Sequence, residues 1–316
     1  MIVQSQIKDD FLCFDKNGLY CKYGDFYLDP VLPVKTAVIS HAHADHAVSG
    51  NHSVDCTPAT AAFMQLRYGK NAANKFNLYN YHQPFLHGAV TITFFPAGHM
   101  LGSAQVLMEY EGVRYLYTGD YKLQPDPTCE PFEWVKTDVL ITESTFANPA
   151  IEHPDPAAEI EKLNWIKINI LLGAYGLGKS QRLISLINQY APQKKILVHF
   201  KIAPINAIYE KMGFPPGKYQ LYGRKLMNKQ EEFVYIVPPF TFDSYIRAKN
   251  VKRLFASGWK NLQVNEQDTL FISDHVDWND ILLTVKNTEP RQIWTLHGEG
   301  FHLQKQFGGN ILVKIL

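Results

Sequence analysis

The sequence lacks the features that mark a membrane protein or a disulfide-rich secreted protein. None of its apolar runs approaches the roughly 20 residues that a membrane-spanning helix needs. There are four cysteines, Cys13, Cys21, Cys56 and Cys129, and no two of them form a C-x-x-C pair. The first ten residues are polar and charged, unlike a secretory signal peptide. We therefore expect reduced thiols and a cytoplasmic location.

The sequence also has little net charge, but its charges are unevenly distributed. Lysine and arginine total 31 and aspartate and glutamate total 30, which gives a formal charge of +1. Residues 194–260 contain thirteen Lys or Arg and four Asp or Glu, so the remainder of the chain is acidic. A basic module in an acidic body predicts a polyanionic partner, although a solvated lysine-rich face would give the same count. The 316 residues suffice for two domains, or for one domain with an insertion.

Histidine is concentrated in one short segment at the end of an apolar run. His41, His43, Asp45 and His46 fall within six residues, directly after the β-branched run 36–39 and Ser40. This pattern predicts a buried strand that ends in a ligand-bearing loop. The first two histidines project to one side of an extended loop and the last two residues diverge from them, so the segment offers ligands for two metal ions. The alternative is a histidine-rich surface loop without metal.

Single acidic or histidine residues also follow other apolar runs. They are Asp29, His99, Asp120, Glu143, His275 and His297. Each alone could be a helix cap or a hydrogen-bonded core residue, but loops at one edge of a sandwich converge in space. Glycines beside His99 and Asp120 would let the backbone approach a metal closely. Asp120 could bridge two cations through its two oxygens, and Asp29 could orient a ligand histidine by a hydrogen bond.

The secondary-structure pattern changes near residue 145. Before it, alternating apolar residues predict mainly strands, with one helix over 58–68. After it, strand and helix signals alternate, which is typical of an α/β domain. The pattern predicts helices over 156–168 and 180–190, the first of them with Asp155 as its N-cap.

Several motifs together resemble a known group of enzymes. The order Asp29, His41-x-His43-x-Asp45-His46, His99, Asp120 is similar to the metal-binding pattern of the metallo-β-lactamase fold. The segments Glu143-Ser144-Thr145, Ser273-Asp274-His275 and Leu296-His297-Gly298 resemble the three extra motifs of its nucleic-acid-cutting β-CASP branch. That branch includes DNA cross-link repair nucleases and the endonuclease of pre-mRNA 3′ processing. Within it, the chain resembles the bacterial ligase-associated DNA damage response exonucleases through segments 96–105, 119–122, 126–132, 177–182 and 256–259.

The resemblance implies an α/β fold made of a metallo-β-lactamase αββα sandwich and an inserted, reduced β-CASP-like α/β domain. We expect the first part of the sandwich at 1–145, the insertion at 146–255 and the closing part of the sandwich at 256–316. Most of the basic module would then lie in the insertion.

The resemblance also implies roles for individual residues. The ligands would be His41, His43 and His99 for one metal and Asp45, His46 and His297 for the other, with Asp120 as the bridge. His275, with Glu143 nearby, would act on the leaving group or the scissile phosphate. Asp45, Asp120, His275 and Glu143 thus form the expected catalytic set. The expected cofactors are two Zn²⁺ ions, with Mn²⁺ as the alternative metal.

A competing motif lies in the second half of the chain. Residues 173–180 satisfy the nucleotide-binding pattern G-x-x-x-x-G-K-[ST], with a predicted strand before them and a predicted helix after them. The nearest candidate for the acidic partner strand, 271–274, overlaps the His275 motif, which disfavours nucleotide hydrolysis. The turn could instead be a tight turn without ligand. It could also present a set of polar side chains to a nucleic-acid phosphate, namely Lys179, Ser180, Gln181 and Arg182.

The sequence therefore predicts a two-metal phosphodiesterase, in the form of a DNA exonuclease of DNA repair that acts on single-stranded or end-bearing DNA. The resemblance implies a DNA ligase and a helicase as partners, and no membrane is expected. The alternatives are a β-CASP ribonuclease, a small-molecule metallo-hydrolase of the same fold, a non-enzymatic binding module and, least favoured, a P-loop NTPase. A small-molecule hydrolase would not need the basic module, Glu143 or His275.

Overall fold

The computed structural model describes residues 5–227, 232–245, 250–259, 269–298 and 300–316. Segments 228–231 and 246–249 of the expected insertion lie outside the described residues. The chain divides into two units. Unit 1 comprises Met1–Pro125, Glu130–Glu152 and His275–Leu316, and unit 2 comprises Asp126–Cys129 and His153–Asp274.

Strands predominate before residue 156, and strands and helices largely alternate from there onward. The strands are β1 (Leu12–Asp15), β2 (Gly18–Cys21), β3 (Phe26–Leu28), β4 (Thr36–Val38), β5 (Asn51–Cys56), β6 (Ala73–Leu78), β7 (Phe85–His87), β8 (Val90–Pro96), β9 (Ala104–Tyr110), β10 (Val113–Tyr117), β11 (Val139–Glu143), β12 (Asn169–Gly173), β13 (Lys195–Val198), β14 (Gln220–Leu221), β15 (Phe233–Val237), β16 (Val251–Ser257), β17 (Thr269–Phe271), β18 (Gln292–Leu296) and β19 (Leu312–Ile315). The helices are α1 (Pro58–Tyr68), α2 (Pro156–Glu161), α3 (Lys179–Tyr190), α4 (Ala203–Lys211), α5 (Arg224–Met227), α6 (Pro239–Ser244), α7 (Trp278–Thr288) and α8 (Phe301–Phe307). In the ranges that the structure describes, none of these helices has both the length and the apolar character needed to cross a membrane.

Unit 1 contains two mixed β-sheets that pack face to face. The first has the order β1-β2-β3-β4-β5-β6 and the second the order β19-β18-β11-β10-β9-β8-β7. A shared core contains Phe26 and Val38 from the first sheet and Val106, Ile141 and Trp294 from the second, all without solvent exposure. Burial of apolar side chains on both inner faces holds the two sheets together.

Helices cover the outer face of each sheet in unit 1. On the first sheet, α1 packs Ala61 and Met64 against Val54. On the second sheet, Ile281 of α7 and Leu303 of α8 belong to one buried apolar cluster with side chains of the strands. The resulting order of helix, sheet, sheet and helix agrees with the αββα arrangement that the resemblance implied.

Unit 2 is built on a six-stranded sheet in the order β14-β13-β15-β12-β16-β17. Every neighbouring pair in this sheet is parallel. All five residues of β15 are buried, as expected for a parallel strand that is covered on both faces. On one face, α3 contributes Leu183, Ile184 and Ile187 to the core that also contains Ile170 and Leu172 of β12. The α/β pattern predicted for this part of the sequence is therefore confirmed.

The sequence-based element boundaries agree with the structure in some places and differ in others. The predicted helices over 58–68 and 180–190 are confirmed by α1 and α3. The helix expected over 156–168 starts after its predicted cap, Asp155, but ends at Glu161 and continues as a 3-10 helix. Within the 3-10 helix the Asn164 side chain donates to the Tyr190 carbonyl at 3.0 Å, and β12 starts at Asn169.

The closing boundary of unit 2 lies beyond the expected residue 255. Strands β16 and β17 pair with each other in the parallel sheet, with Phe255 opposite Thr269. Because β17 belongs to this sheet, unit 2 extends to Asp274, and only the chain from His275 onward returns to unit 1.

Candidate metal centre

Three histidines and an aspartate converge at the ends of three strands of unit 1. His41 and His43 follow β4, His99 follows β8 and Asp120 follows β10. His43 Nδ1 lies 3.2 Å from His41 Nε2 and 3.0 Å from His99 Nε2. Asp120 Oδ2 lies 3.6 Å from His41 Nε2 and 3.9 Å from His99 Nε2. One ligand atom from each of the four lies within 4.8 Å of the others, so this group could hold a metal ion.

His46 reaches the same carboxylate and is flanked by two further predicted ligands. Its Nε2 lies 3.4 Å from Asp120 Oδ2. The ring of His297 lies 5.4 Å from the His46 ring, and Asp45 Oδ2 lies 3.9 Å from His46 Nε2 on a side chain that is 81% exposed. Among the described residues, Asp45 and His297 are not grouped with other ligand atoms at metal-binding distances. The structure thus places Asp45 and His297 near His46, but the ligand atoms of these three residues do not come together at metal-binding distances.

The charges of this cluster fit a cation. Burial of the ring and the nearby charge of His46 lower the pKa of His41 well below its ordinary value, which favours the neutral imidazole that binds metals. Burial opposes ionisation of Asp120, but His46 and His275 outweigh it and hold the pKa of that carboxyl well below its usual range. Burial likewise opposes protonation of His46, yet Asp120 and Asp29 raise its pKa well above the ordinary value. The buried Asp120 carboxylate thus stays ionised beside a positive charge. A bound metal ion could supply that positive charge in place of the proton on His46.

Two glycines let the ligand-bearing loops approach other backbone closely. Gly98, directly before His99, has a φ of 71°, and a Cβ there would lie 2.3 Å from the Lys122 carbonyl oxygen. Gly119, directly before Asp120, has a φ of 54°, and a Cβ there would lie 2.8 Å from Ser40 Oγ. Side chains at either position would push the following ligand away from the cluster.

Asp29 anchors His46 from behind, as the sequence predicted for a histidine ligand. Its Oδ2 lies 2.9 Å from His46 Nδ1 and accepts from the Tyr117 hydroxyl at 2.9 Å and the Ser40 hydroxyl at 2.5 Å. Asp29 Oδ1 accepts from the Ser40 amide at 2.7 Å. The sequence reasoning did not single out Tyr117. The signal was available, because a phenol at the end of a buried strand must find a partner inside the protein, and here it lies three residues before Asp120.

Tyr117→Phe should weaken binding of Zn²⁺ by about 10–100-fold, the range found when an outer hydrogen-bond partner of a metal ligand is lost. The ring stays in the core, so the loss of stability should be about 1–3 kcal/mol. Titration of metal-free protein with Zn²⁺ against a chromophoric chelator measures the affinity.

The control for Tyr117→Phe is Tyr115→Phe. Tyr115 lies on the same strand, is buried, and accepts a hydrogen bond from the Lys8 amide at 2.8 Å through its hydroxyl. Equal Zn²⁺ affinity in Tyr117→Phe and wild type would show that this hydroxyl does not organise the ligands.

A second pair of polar side chains lies beside the cluster. His275 Nδ1 is 2.9 Å from Glu143 Oε2, 3.2 Å from Glu143 Oε1 and 3.9 Å from Asp120 Oδ2. Glu143, at the end of β11, is 1% exposed and accepts from the Tyr121 amide at 3.0 Å. The His275 side chain keeps 29% of its surface exposed. The structure therefore joins two of the four predicted catalytic residues and leaves the imidazole accessible. Asp120, Glu143 and His275 could also hold a metal.

The nucleotide-binding pattern of unit 2 forms interior bonds. Lys179 is 5% exposed, and its Nζ donates to the Ile272 carbonyl at 2.6 Å and lies 3.1 Å from Asp274 Oδ2. Arg182 is 1% exposed, pairs with Asp274 Oδ1 at 2.9 Å and lies 3.8 Å from Asp126. A buried cation is tolerated because carboxylates compensate it. In this structure both side chains form bonds in the interior of unit 2, and their predicted contact with a nucleic-acid phosphate stays a prediction.

The rest of the same turn is bonded to itself. Ser180 Oγ donates to the Tyr175 carbonyl at 2.7 Å, and Gln181 Nε2 donates to Asn206 Oδ1 at 2.7 Å. The Gly178 amide donates to Gln181 Oε1 at 2.8 Å, and the Ser180 amide donates to the Tyr175 carbonyl at 3.1 Å. A phosphate-binding turn points its amides at the ligand. The geometry favours the tight turn without ligand.

The sequence is similar to several known proteins. No protein-family model matches the sequence. Over 301 residues, the chain is 30% identical to a protein named "Probable DNA ligase" from Opitutus terrae, which covers 89% of this chain and 28% of that protein. It is 30% identical over 188 residues to cleavage and polyadenylation specificity factor subunit 3 of Dictyostelium discoideum, covering 56% of this chain and 23% of that protein. It is 29% identical over 211 residues to endoribonuclease YSH1 of Gibberella zeae, covering 53% and 25%.

These similarities support the resemblance to the β-CASP branch. They do not choose between DNA-cutting and RNA-cutting members. The chain spans about a quarter of the length of these curated relatives. Among solved structures, a protein of unknown function from Enterococcus faecalis V583 has a TM-score of 0.59 and 14% sequence identity, covering 89% of this chain and 78% of that chain. That likeness shows the fold alone.

Proposed function

We propose that this chain is a metal-dependent phosphodiesterase that degrades nucleic acid, with DNA as its preferred substrate and exonuclease action from a DNA end. One observation carries the proposal. The Glu143–His275 pair lies beside Asp120, which also faces the histidine cluster. A hydrolase of small activated substrates needs the metal ligands, but it does not need a second, partly exposed imidazole held by a buried carboxylate.

The grouped ligands His41, His43, His99 and Asp120 suit one divalent ion, and we propose a second ion at His46. His41, His43, His99 and Asp120 would hold one, and His46, Asp45 and His297 would hold the other with Asp120 between them. Nitrogen and oxygen donors of this kind fit Zn²⁺, with Mn²⁺ as the alternative. Bound metal ions would polarise the scissile phosphate and activate water for attack.

The protein's own residues would complete the reaction. The Glu143 carboxylate lies against His275 Nδ1 and so stabilises the protonated imidazolium. His275 would then give its other ring proton to the oxygen that leaves phosphorus as the P–O bond breaks. Asp29 would keep His46 in its ligand orientation through the 2.9 Å contact with Nδ1.

We propose DNA rather than RNA as the substrate because of the name of a relative that matches 89% of this chain. That relative bears the name of a probable DNA ligase, and the matching segment covers 28% of its length. A nuclease segment within such a protein fits the trimming of DNA ends before ligation, so a DNA ligase is the proposed partner. The relatives named for polyadenylation and endoribonuclease function match a smaller share of this chain and favour the ribonuclease alternative.

Purified protein with Zn²⁺ or Mn²⁺ should degrade linear single-stranded DNA and leave circular single-stranded DNA of the same sequence intact. Blunt duplex DNA and an RNA of the same sequence complete the assay, and gel analysis of end-labelled products measures each rate. Cleavage of the circle would make the protein an endonuclease. Strong RNA cleavage without DNA cleavage would overturn the preferred substrate, and activity on thioesters or lactones alone would overturn the phosphodiesterase.

A further inference from the structure

A row of exposed aromatic side chains lies along one edge of the parallel sheet in unit 2. Four adjacent strands, β13, β15, β12 and β16, run in the same direction, so their carboxyl ends share an edge. Each is followed within three residues by a large aromatic side chain: Phe200 after β13, Phe240 after β15, Tyr175 after β12 and Trp259 after β16. We refer to these four residues as the aromatic row.

The rings of the aromatic row are exposed although the strands beside them are buried. Phe240 is 91% exposed, Phe200 68%, Tyr175 58% and Trp259 43%. Two phenylalanines of α6 differ in burial. Phe242 packs against Phe255 with ring centroids 5.5 Å apart, whereas Phe240 is exposed to solvent. Single exposed apolar side chains are common, but four at neighbouring strand ends point to a ligand that covers them.

The charges beside the row favour a polyanion. Lys201 directly follows Phe200, and Lys225 lies after β14, the strand next to β13; both side chains are exposed. Among the described residues that closely follow these five strands, one is acidic. It is Asp243, near the C-terminal end of α6. Phe200, Phe240 and Trp259 lie within the stretch 194–260, which carries thirteen basic and four acidic residues. Tyr175 follows β12, which lies between β15 and β16 in the sheet.

The spacing of the row fits the bases of a single strand. Neighbouring strands lie about 4.7–4.9 Å apart, so four strand ends span about 15 Å. Successive bases of single-stranded nucleic acid stack on aromatic side chains without regard to sequence, and nearby cations track the phosphates. Bases in a duplex are already stacked on each other and cannot use such a row.

We propose that the aromatic row of unit 2 is a stacking platform for single-stranded nucleic acid. Bases would lie on Phe200, Phe240, Tyr175 and Trp259, and Lys201 and Lys225 would contact phosphates. This inference rests on the proposed function, because it takes nucleic acid as the ligand, and it adds a binding site outside the residues that hold metal.

Binding of the 316-residue chain to labelled 20-nucleotide dT and rU probes is measured by fluorescence anisotropy. No divalent metal is added, so that no probe is cut. Phe200→Ala and Phe240→Ala should each weaken binding by about 5- to 150-fold, since stacking on one ring is worth about 1–3 kcal/mol per base. Phe240→Tyr, which keeps a stacking ring, should bind close to wild type. Both side chains are largely exposed, so these variants should fold.

Trp165→Ala is the matched control. Trp165 is 84% exposed and precedes β12, so it lies toward the amino end of the same sheet. The inference is overturned if Phe200→Ala and Phe240→Ala bind dT and rU as tightly as wild type, if Trp165→Ala weakens binding equally, or if affinity for a blunt duplex falls as much as affinity for dT. Selective loss of single-strand binding supports it, and the dT and rU probes separate DNA from RNA.

The proposed function and the platform can fail separately. Wild-type protein that degrades nucleic acid, together with unchanged binding by the alanine variants, overturns the platform alone. Wild-type protein that binds dT through Phe200 and Phe240 but cuts no probe with Zn²⁺ or Mn²⁺ overturns the nuclease and leaves the platform supported.

Discussion

Asp120→Asn should abolish nuclease activity and remove bound divalent metal together. Asp120 is 7% exposed, and its Oδ2 lies between 3.4 and 3.9 Å from nitrogens of His46, His41 and His99. Asparagine keeps the shape of the side chain but removes its charge, so the imidazoles lose the anion that they share. Asp29 cannot replace it, because its oxygens already accept from Ser40 and other groups behind His46.

We expect the affinity for Zn²⁺ to fall by roughly 10³-fold or more. This exceeds the roughly 10–100-fold loss that follows removal of an outer hydrogen-bond partner of a ligand. The rate on single-stranded DNA should fall by at least about 10³-fold, since charge stabilisation of the phosphate is lost as well. Metal content after dialysis and initial nuclease rates measure the two effects. The control is Asp138→Asn, whose carboxylate accepts from the Arg114 amide at 2.9 Å in the same unit. Full zinc content with a wild-type rate in Asp120→Asn would contradict the assigned site.

The elements that sequence reasoning predicted well are those with local causes. α1 is capped by the Thr57 side chain, which accepts from the Thr60 amide at 3.3 Å, and it begins with proline; both signals are visible in the sequence. The buried strand before His41 follows from its apolar run. The membership of β17 in the parallel sheet was not predictable in this way. It depends on Thr269 meeting Phe255 across 13 intervening positions, and an apolar three-residue strand fits several sheets equally well.

Sequence reasoning also singled out some residues of the candidate site and missed partners that are distant in the sequence. The resemblance assigned His41, His43 and His99 to one metal with Asp120 as the bridge, and the structure places one ligand atom of each of these four residues within 4.8 Å of the others. The pattern G-x-x-x-x-G-K-[ST] alone could not distinguish a P-loop from a tight turn with buried ion pairs, because both can share one local sequence. The partner that decides between them, Asp274, lies 95 positions after Lys179. Tyr117 was missed for a similar reason, since its hydrogen bond to Asp29 joins residues 88 positions apart.

His275→Ala should slow DNA cleavage by about 10²–10⁴-fold, the usual contribution of a positioned general acid, while the zinc content stays near that of wild type. The pair with Glu143 is the reason to expect a proton donor, because a carboxylate 2.9 Å from Nδ1 favours the charged ring. The leaving oxygen of DNA is a poor leaving group and needs that proton. The p-nitrophenolate that leaves bis(p-nitrophenyl) phosphate does not, so the same variant should lose less than about tenfold on that ester.

Zinc content and the comparison of the two substrates together separate a metal ligand from a proton donor at His275. A variant that loses zinc would make His275 a metal ligand, as its place with Asp120 and Glu143 within ligand distance allows. An equal loss on DNA and on the activated ester would argue against a proton donor. His87→Ala is the matched control, because His87 Nε2 also lies 2.9 Å from a buried carboxylate, Asp55, with a similar 23% of its side chain exposed. Since that pair has the chemistry of His275 and Glu143 without the adjacent ligand cluster, only the change at His275 should depend on the leaving group.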